Sequence, residues 1–307
     1  MTNLNANQFE AHRPLMFSIA YRMLGSATEA EDIVQEAYLR YQGTIEPIEA
    51  PKAFLSTIVT RLCLNQLQSA SSQRTSYIGP WLPEPILTEA DALSVPVHQA
   101  ELHESLSLAF LTLLEQLTPL ERAVFLLREV FDYEYADIAG IVGKEEAACR
   151  QMFSRAKKHI TEQRPRFKPT PEAHRHLLDT FIQAANTGEM DALMQVLAED
   201  VTLWADGGGK ARGAAIRPLH GREAVAHFVL ATSRFRSADY HMEYSEVNGE
   251  LAVILREGNQ ALVVLAVTGA NGFVTEIRAI GNPDKLKWVS TPSDTPPDSS
   301  ETHEAST

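Results

Sequence analysis

The side chains best suited to chemistry form two groups. Between residues 145 and 168, seven bases (Arg150, Arg155, Lys157, Lys158, Arg164, Arg166, Lys168) outnumber three acids (Glu145, Glu146, Glu162), a local charge of +4 in a chain of net charge −13. Phosphates require such positive charge, and base edges require donors of the kind Arg150 and Gln151 offer. Lys144 adds a cation just before them. The second group is acid–base: Asp206, His220, His227 and His241. Catalysis would need these groups to converge in one pocket. Gly221 follows His220 at a helix start and His227 lies on that helix, which favours histidines present by chance. No cofactor fingerprint or metal-ligand spacing occurs, and the distant pair Cys63 and Cys149 excludes a disulfide scaffold and a zinc finger.

The basic cluster needs a rigid helix to display it. Residues 135–142, a turn at Gly143 and residues 145–160 have helix-turn-helix spacing, with Ile138 and Ala139 on the first helix. Cys149, Phe153, Ala156 and Ile160 form the buried stripe of the second, so Cys149 reads as packing. Upstream, Thr118-Pro119-Leu120-Glu121 is a capping signal, and Leu120, Ala123, Val124 and Leu127 make a core-facing stripe. Residues 8–72 also read as helix, with helical apolar spacing over 15–24 and 53–67. Thr28-Glu29-Ala30-Glu31 predicts a capping box and a helix start at Thr28. On that helix Ile33, Val34, Ala37 and Tyr38 share a face; Asp32, Gln35, Glu36 and Leu39 lie off it. Residues 50–83 contain no acid, and Lys52, Arg61 and Arg74 make the segment +3.

Residues 73–100 read as a linker broken by Gly79, Pro80, Pro83, Pro85 and Pro96. A second boundary falls at 164–171. Residues 172–290 then change period. Helices are predicted at 172–186 and 191–197, a strand at 201–205, a loop at 206–210 and a strand near 212–218. A helix at 221–232 and strands at 240–247, 251–256, 261–268 and 274–279 follow. Helices first and an antiparallel meander last give an α+β domain. Residues 291–307 read as a disordered acidic tail.

With 44% hydrophobic and 22% charged residues the chain can bury a core, and 307 residues suit more than one domain. No apolar run approaches the roughly 18–20 residues of a membrane span. The first residues lack the regions of a secretory signal, so a reducing cytoplasm and no membrane partner are expected. The net charge argues against a protein that coats nucleic acid uniformly, while leaving room for a local basic surface.

Two helical modules joined by a proline-broken linker, the second ending in a basic helix-turn-helix, resemble the extracytoplasmic-function (ECF) type of bacterial RNA polymerase sigma factors over residues 8–162. Residues 30–36 (AEDIVQE) are similar to the polymerase-binding helix of their first domain, and residues 117–160 to their promoter-reading second domain. Three motifs narrow the resemblance to the subgroup with a fused C-terminal SnoaL-like domain, a cone-shaped fold shared with nuclear transport factor 2. They are WLPEP (Trp81, Leu82, Pro83, Glu84, Pro85), DGGGK (Asp206, Gly207, Gly208, Gly209, Lys210) and NPDKL (Asn282, Pro283, Asp284, Lys285, Leu286).

The resemblance implies a multidomain protein of two all-α sigma modules, region 2 (8–72) and region 4 (101–165), followed by an α+β cone (172–290). It implies that Asp32, Gln35, Glu36 and Leu39 meet the clamp of the polymerase β′ subunit, and that the second module meets the β flap. Lys52, Arg61 and Arg74 would serve the −10 element; Lys144, Arg150, Gln151, Arg155, Lys157 and Lys158 would serve the −35 element. The three motifs would be regulatory contacts between domains, with no catalytic residue, metal or cofactor. Residues 65–73 depart from the pattern by carrying few charges where relatives are commonly Arg-rich, so the −10 preference or the polymerase's share of melting is expected to differ. The leading reading is a promoter-specific initiation factor regulated in cis, with room for a small ligand or protein at the cone. Its rivals are an isomerase- or cyclase-type enzyme of the SnoaL-like fold tethered to DNA, and a two-domain repressor, which would not need residues 32–39 to meet polymerase.

Overall fold

The computed structural model describes residues 2–44, 48–74, 77–88, 105–163, 170–234 and 239–290, apart from the side chains of 2–7, 70–74 and 163. The expected acidic tail, the later part of the linker and Arg164, Arg166 and Lys168 lie outside the described residues.

The first module is α1 (Thr2–Leu24), α2 (Ala27–Gln42) and α3 (Pro51–Arg74). The start of α2 differs from the expected one: Ser26 is the cap, its hydroxyl accepting the Glu29 N–H at 3.1 Å. Thr28 is occupied by a glutamate from the linker, and Glu31 pairs with Arg13 at 2.6 Å, so neither is free to form the predicted box.

The second module begins with α4 (Leu108–Leu114), capped by Ser107, and α5 (Pro119–Phe125), where Thr118 and Glu121 form the expected reciprocal cap. Helix α5 runs into a π-helical turn at Leu126–Val130, then α6 (Tyr135–Val142), a left-handed Gly143 and α7 (Glu146–Gln163). Cys149, Ala156 and Ile160 are buried along α7 as expected. Burial raises the Cys149 thiol pKa, consistent with packing rather than reactivity.

The two helical modules share one core, in which Leu55, Val59 and Cys63 of α3 meet Phe110, Leu114, Phe125 and Ile160. Buried arginines reinforce the seam. Arg122 donates to the Met23 carbonyl and to Glu115, each at 2.6 Å, and Arg22 donates to Ser105 Oγ at 2.9 Å.

The C-terminal domain comprises α8 (Pro171–Thr187), α9 (Met190–Val196), β1 (Leu197–Asp206), β2 (Leu219–His220), α10 (Arg222–Ser233), β3 (Tyr240–Val247), β4 (Glu250–Glu257), β5 (Gln260–Ala270) and β6 (Phe273–Ile280). The strands form one sheet in the order β2-β1-β6-β5-β4-β3, with β1 and β6 parallel and the other pairs antiparallel. The strand expected near 212–218 is absent; that stretch is turn and loop, and the two-residue β2 replaces it. Gly213 at φ +78° and Pro218, which has no N–H to donate, both oppose a ladder there.

The helices cover one sheet face, filling it with Leu177, Phe181, Leu203, Val253, Val267 and Ile277. The other face receives Leu82 of the linker and Leu108 of α4 against Ile254, Val264, Ile280 and Leu286. Linker residue Leu87 also bridges to Val247 at the β3 edge.

Candidate promoter, polymerase and interdomain surfaces

Helix α7 presents Arg150, Gln151, Arg155, Lys157 and Lys158 to solvent, and Lys144 is exposed in the turn before it. Their ion pairs are superficial: Arg150 with Glu146, Lys157 with Glu129 at 3.0 Å, Lys158 with Glu162 at 3.9 Å. On α2, Asp32 and Gln35 are exposed, Glu36 pairs with Arg40 at 2.8 Å, and Leu39 is 62% exposed. The core-facing residues of both helices position these stripes.

Lys52 and Arg61 both make contacts within the protein. Arg61 crosses to the helix-turn-helix and donates to the carbonyls of Ile141 (3.0 Å) and Gly140 (2.9 Å) at the end of α6. The ammonium of Lys52 lies 5.4 Å from the Tyr133 ring centroid, and Ser56 hydrogen-bonds the Tyr133 hydroxyl. The Arg74 side chain lies outside the described residues.

All three motifs meet at one buried junction. The Asp206 carboxylate, fully buried, accepts from the Leu82 N–H (2.8 Å), the Tyr77 hydroxyl and Lys285 Nζ (2.7 Å). Lys285 also donates to the Leu82 carbonyl and lies 4.1 Å from the Trp81 ring centroid. Asn282 donates to the Tyr77 hydroxyl at 2.9 Å. Gly208, at φ +56°, lies so close to Asn282 that a Cβ would be 2.3 Å from its amide nitrogen, so the loop admits only glycine there. Lys210 and Asp284 close the rim with an exposed ion pair. Burial, then the Asp206 carboxylate, pushes the Tyr77 phenol pKa up.

On the other side of the linker, Glu84 caps α2 from a distance of 56 residues, accepting from the Thr28 N–H (3.0 Å) and the Ser26 hydroxyl (2.7 Å). A carboxylate at a helix N-terminus is favoured by the unpaired N–H groups and the helix dipole. The Glu84 N–H donates to the Gly25 carbonyl (2.8 Å), and its carbonyl accepts the Tyr21 hydroxyl (2.6 Å). Trp288, just after NPDKL, donates to Thr28 Oγ1 at 3.3 Å.

Asn248 escaped the sequence reading. It sits fully buried in the β3–β4 turn, at φ +55°. Its side chain donates to the Tyr21 hydroxyl (2.6 Å) and the Leu106 carbonyl (2.9 Å) and accepts the Ile86 N–H (3.0 Å). One amide therefore joins the cone to both helical modules and the linker. The Asn248-Gly249 pair signals a hairpin turn, but nothing local discloses those partners.

The acid–base candidates do not converge. Asp206 is consumed at the junction, His220 contacts Thr202 Oγ1 at 3.2 Å from an exposed strand, and His227 and His241 are exposed. Among the described residues no cluster of His, Cys, Asp and Glu could hold a metal ion, and no helix is long and apolar enough to cross a membrane.

Comparison with known proteins agrees with this architecture. Residues 8–73 match Sigma-70 region 2, residues 107–160 match Sigma-70 region 4, and residues 178–290 match the SnoaL-like domain. The chain is 36% identical over 293 residues to the ECF RNA polymerase sigma factor SigJ of Mycobacterium tuberculosis strain H37Rv, covering 92% of this chain and 93% of that protein. It is 31% identical over 282 residues to the probable ECF sigma factor SigI of the same organism, covering 91% and 93%. The crystal structure of M. tuberculosis SigJ superposes with a TM-score of 0.69 at 33% identity, over 92% of this chain and 98% of that one. Regions 2 and 4 followed by a SnoaL-like domain, matched along almost the whole length of SigJ, make this chain a member of the ECF RNA polymerase sigma factors, proteins that direct transcription initiation and are not enzymes.

Proposed function

We propose that this sigma factor is held closed by its own C-terminal domain and must open to engage a promoter. The carrying observation is Arg61, whose guanidinium lies 2.9 Å from the Gly140 carbonyl. A −10 and a −35 element stand about 25 base pairs apart, roughly 85 Å at about 3.4 Å per step. Two modules joined through one core and the Arg61 contact do not span that distance. Opening would free Lys52 and Arg61 to serve the −10 element together with Arg74.

In the open form Asp32, Gln35, Glu36 and Leu39 dock the β′ clamp, and the second module rests on the β flap. Arg150 and Gln151 read base edges of the −35 element, while Lys144, Arg155, Lys157 and Lys158 meet phosphates. The WLPEP segment lies between the modules, so its capture by Asp206 and Lys285 sets their spacing. A ligand or partner could shift the balance only by binding the two forms with different affinity. The place of work is the cytoplasm, with polymerase and DNA.

The test is promoter-specific transcription with core polymerase for the full chain, Asp206→Ala and a chain lacking residues 167–307, with a photoreactive residue in place of Trp81. Altered output in both variants, unchanged promoter choice for Asp206→Ala, and a crosslink from position 81 to the cone are expected. Equal output in all three forms with no such crosslink would refute the reading.

A further inference from the structure

We infer that Tyr135, the first residue of the helix-turn-helix, is a positioning residue for promoter reading: its ring orients the Arg150 guanidinium and places Arg128 beside it as a second DNA-facing cation. The inference rests on the reading of Arg150 as a base-contacting residue.

Tyr135 is the first residue of α6 and is half-buried between the π-helical turn and α7. The guanidinium carbon of Arg150 lies 4.3 Å from its ring centroid, and that of Arg128 lies 5.2 Å away. Phe153 of α7 meets the same ring edge-on, with centroids 6.0 Å apart and planes at 77°. Both cations are within the roughly 6 Å over which the face of an aromatic ring attracts positive charge.

The two arginines have other partners of a particular kind. Arg150 pairs with Glu146, one turn earlier. Arg128 pairs with Glu134 at 3.2 Å and Asp132 at 3.8 Å, and donates to the Tyr133 carbonyl at 2.9 Å. The three carboxylates are 45%, 73% and 84% exposed. Phosphates can take their places, whereas the ring contact can persist. A guanidinium held against an aromatic ring keeps N–H groups for a base edge; one held only by an ion pair must surrender that pair first. Bringing two like charges to one ring is unfavourable in itself, and packing alone would be served by a leucine. The arrangement makes sense where an anionic ligand follows. Fixing Arg150 before DNA arrives lowers the ordering cost of the contact.

The test uses the full chain with core polymerase. It reads the affinity ratio between a promoter carrying the preferred −35 sequence and promoters substituted singly at each −35 position. Arg150→Ala should lower that ratio by about 5- to 150-fold. Tyr135→Leu should lower the same ratio by about two- to fivefold, and Tyr135→Phe should stay close to the parent. Tyr135→Leu combined with Arg150→Ala should match Arg150→Ala alone, because the ring acts through that arginine. Arg128→Ala should weaken all sequences alike and lower the salt slope by about one. Phenylalanine analogues of increasing fluorination at position 135 keep the shape while weakening the ring's attraction for cations, so the ratio should fall stepwise even if Tyr135→Leu does not fold. An unchanged ratio in Tyr135→Leu, an equal loss for all promoters, or no trend with fluorination would overturn the positioning role while leaving Arg150 as a base reader. An unchanged ratio in Arg150→Ala would overturn both.

Discussion

The outer helices and the interdomain junction use charge in opposite ways. On the outward stripes of α2 and α7 the ion pairs are exposed, as with Glu36 and Arg40 or Lys157 and Glu129. Such pairs contribute little and exchange readily for a phosphate or a partner's side chain. At the junction Asp206, Lys285 and Glu84 are buried, and each is hydrogen-bonded more than once, in every case including a bond across a module boundary. Removing one member there leaves another without compensation. The outer surfaces are suited to exchange and the junction to all-or-none release.

The sharpest way to break this contrast is Asp206→Ala. It strands the Lys285 ammonium and the Leu82 N–H, which should cost about 3–5 kcal/mol of docking stability, read as protease sensitivity of residues 77–88. Adding Lys285→Met should recover part of the loss; no recovery would mean that the stranded charge is not the cause.

Asn248→Asp keeps the shape and the bond to Ile86 but removes the donors to Tyr21 and Leu106. It should cost about 1–3 kcal/mol, measured by the same proteolysis and by thermal unfolding. Wild-type behaviour would remove Asn248 from the set of residues that couple the modules.

Alkaline pH tests the junction without mutation. Burial pushes up the pKa of both Tyr21 and Tyr77, and for Tyr77 the Asp206 carboxylate adds to it. Phenols raised in the docked state contribute stability that is complete below their ordinary pKa of about 10 and lost as pH rises above it. Docking should therefore loosen above about pH 10, and less steeply in Tyr77→Phe. An identical profile in that variant would place the titration elsewhere.

The outer surfaces should give the smallest structural effects. Charge reversal at Asp32 and Glu36 together should weaken core polymerase binding while changing stability by within about 0.5 kcal/mol. Lys157→Ala should weaken all promoters alike and lower the salt slope by about one. Loosening of the linker in either variant would mean that the two classes of charge are not separate.

Local physics made much of this legible in the sequence. The reciprocal cap of Thr118 and Glu121, the turn at Gly143 and the alternating strands of the cone each depend on neighbours within a few positions. The start of α2 was misjudged because Glu84 takes Thr28 from another part of the chain. The strand expected near 212–218 is absent because Gly213 and Pro218 favour turn. The use of Arg61 and Asn248 was not legible, since their partners lie 79 to 227 positions away and only the tertiary fold brings them together. The motif residues were legible as a set, but not Tyr77, which completes the Asp206 site.

The claim that the cone holds the two sigma modules closed is tested most directly by the distance between them. Gln42 and Thr161 are exposed on α2 and α7, and the native Cys63 and Cys149 are buried, so labels on Gln42→Cys and Thr161→Cys can be placed selectively. Pulsed spin-label distances should show one short, narrow separation in the free protein. A separation tens of ångströms longer is expected in the complex with core polymerase and promoter DNA. Asp206→Ala should shift the free protein toward the longer, broader distribution. The same short distance in the promoter complex, or an unchanged distribution in Asp206→Ala, would contradict closure by the C-terminal domain.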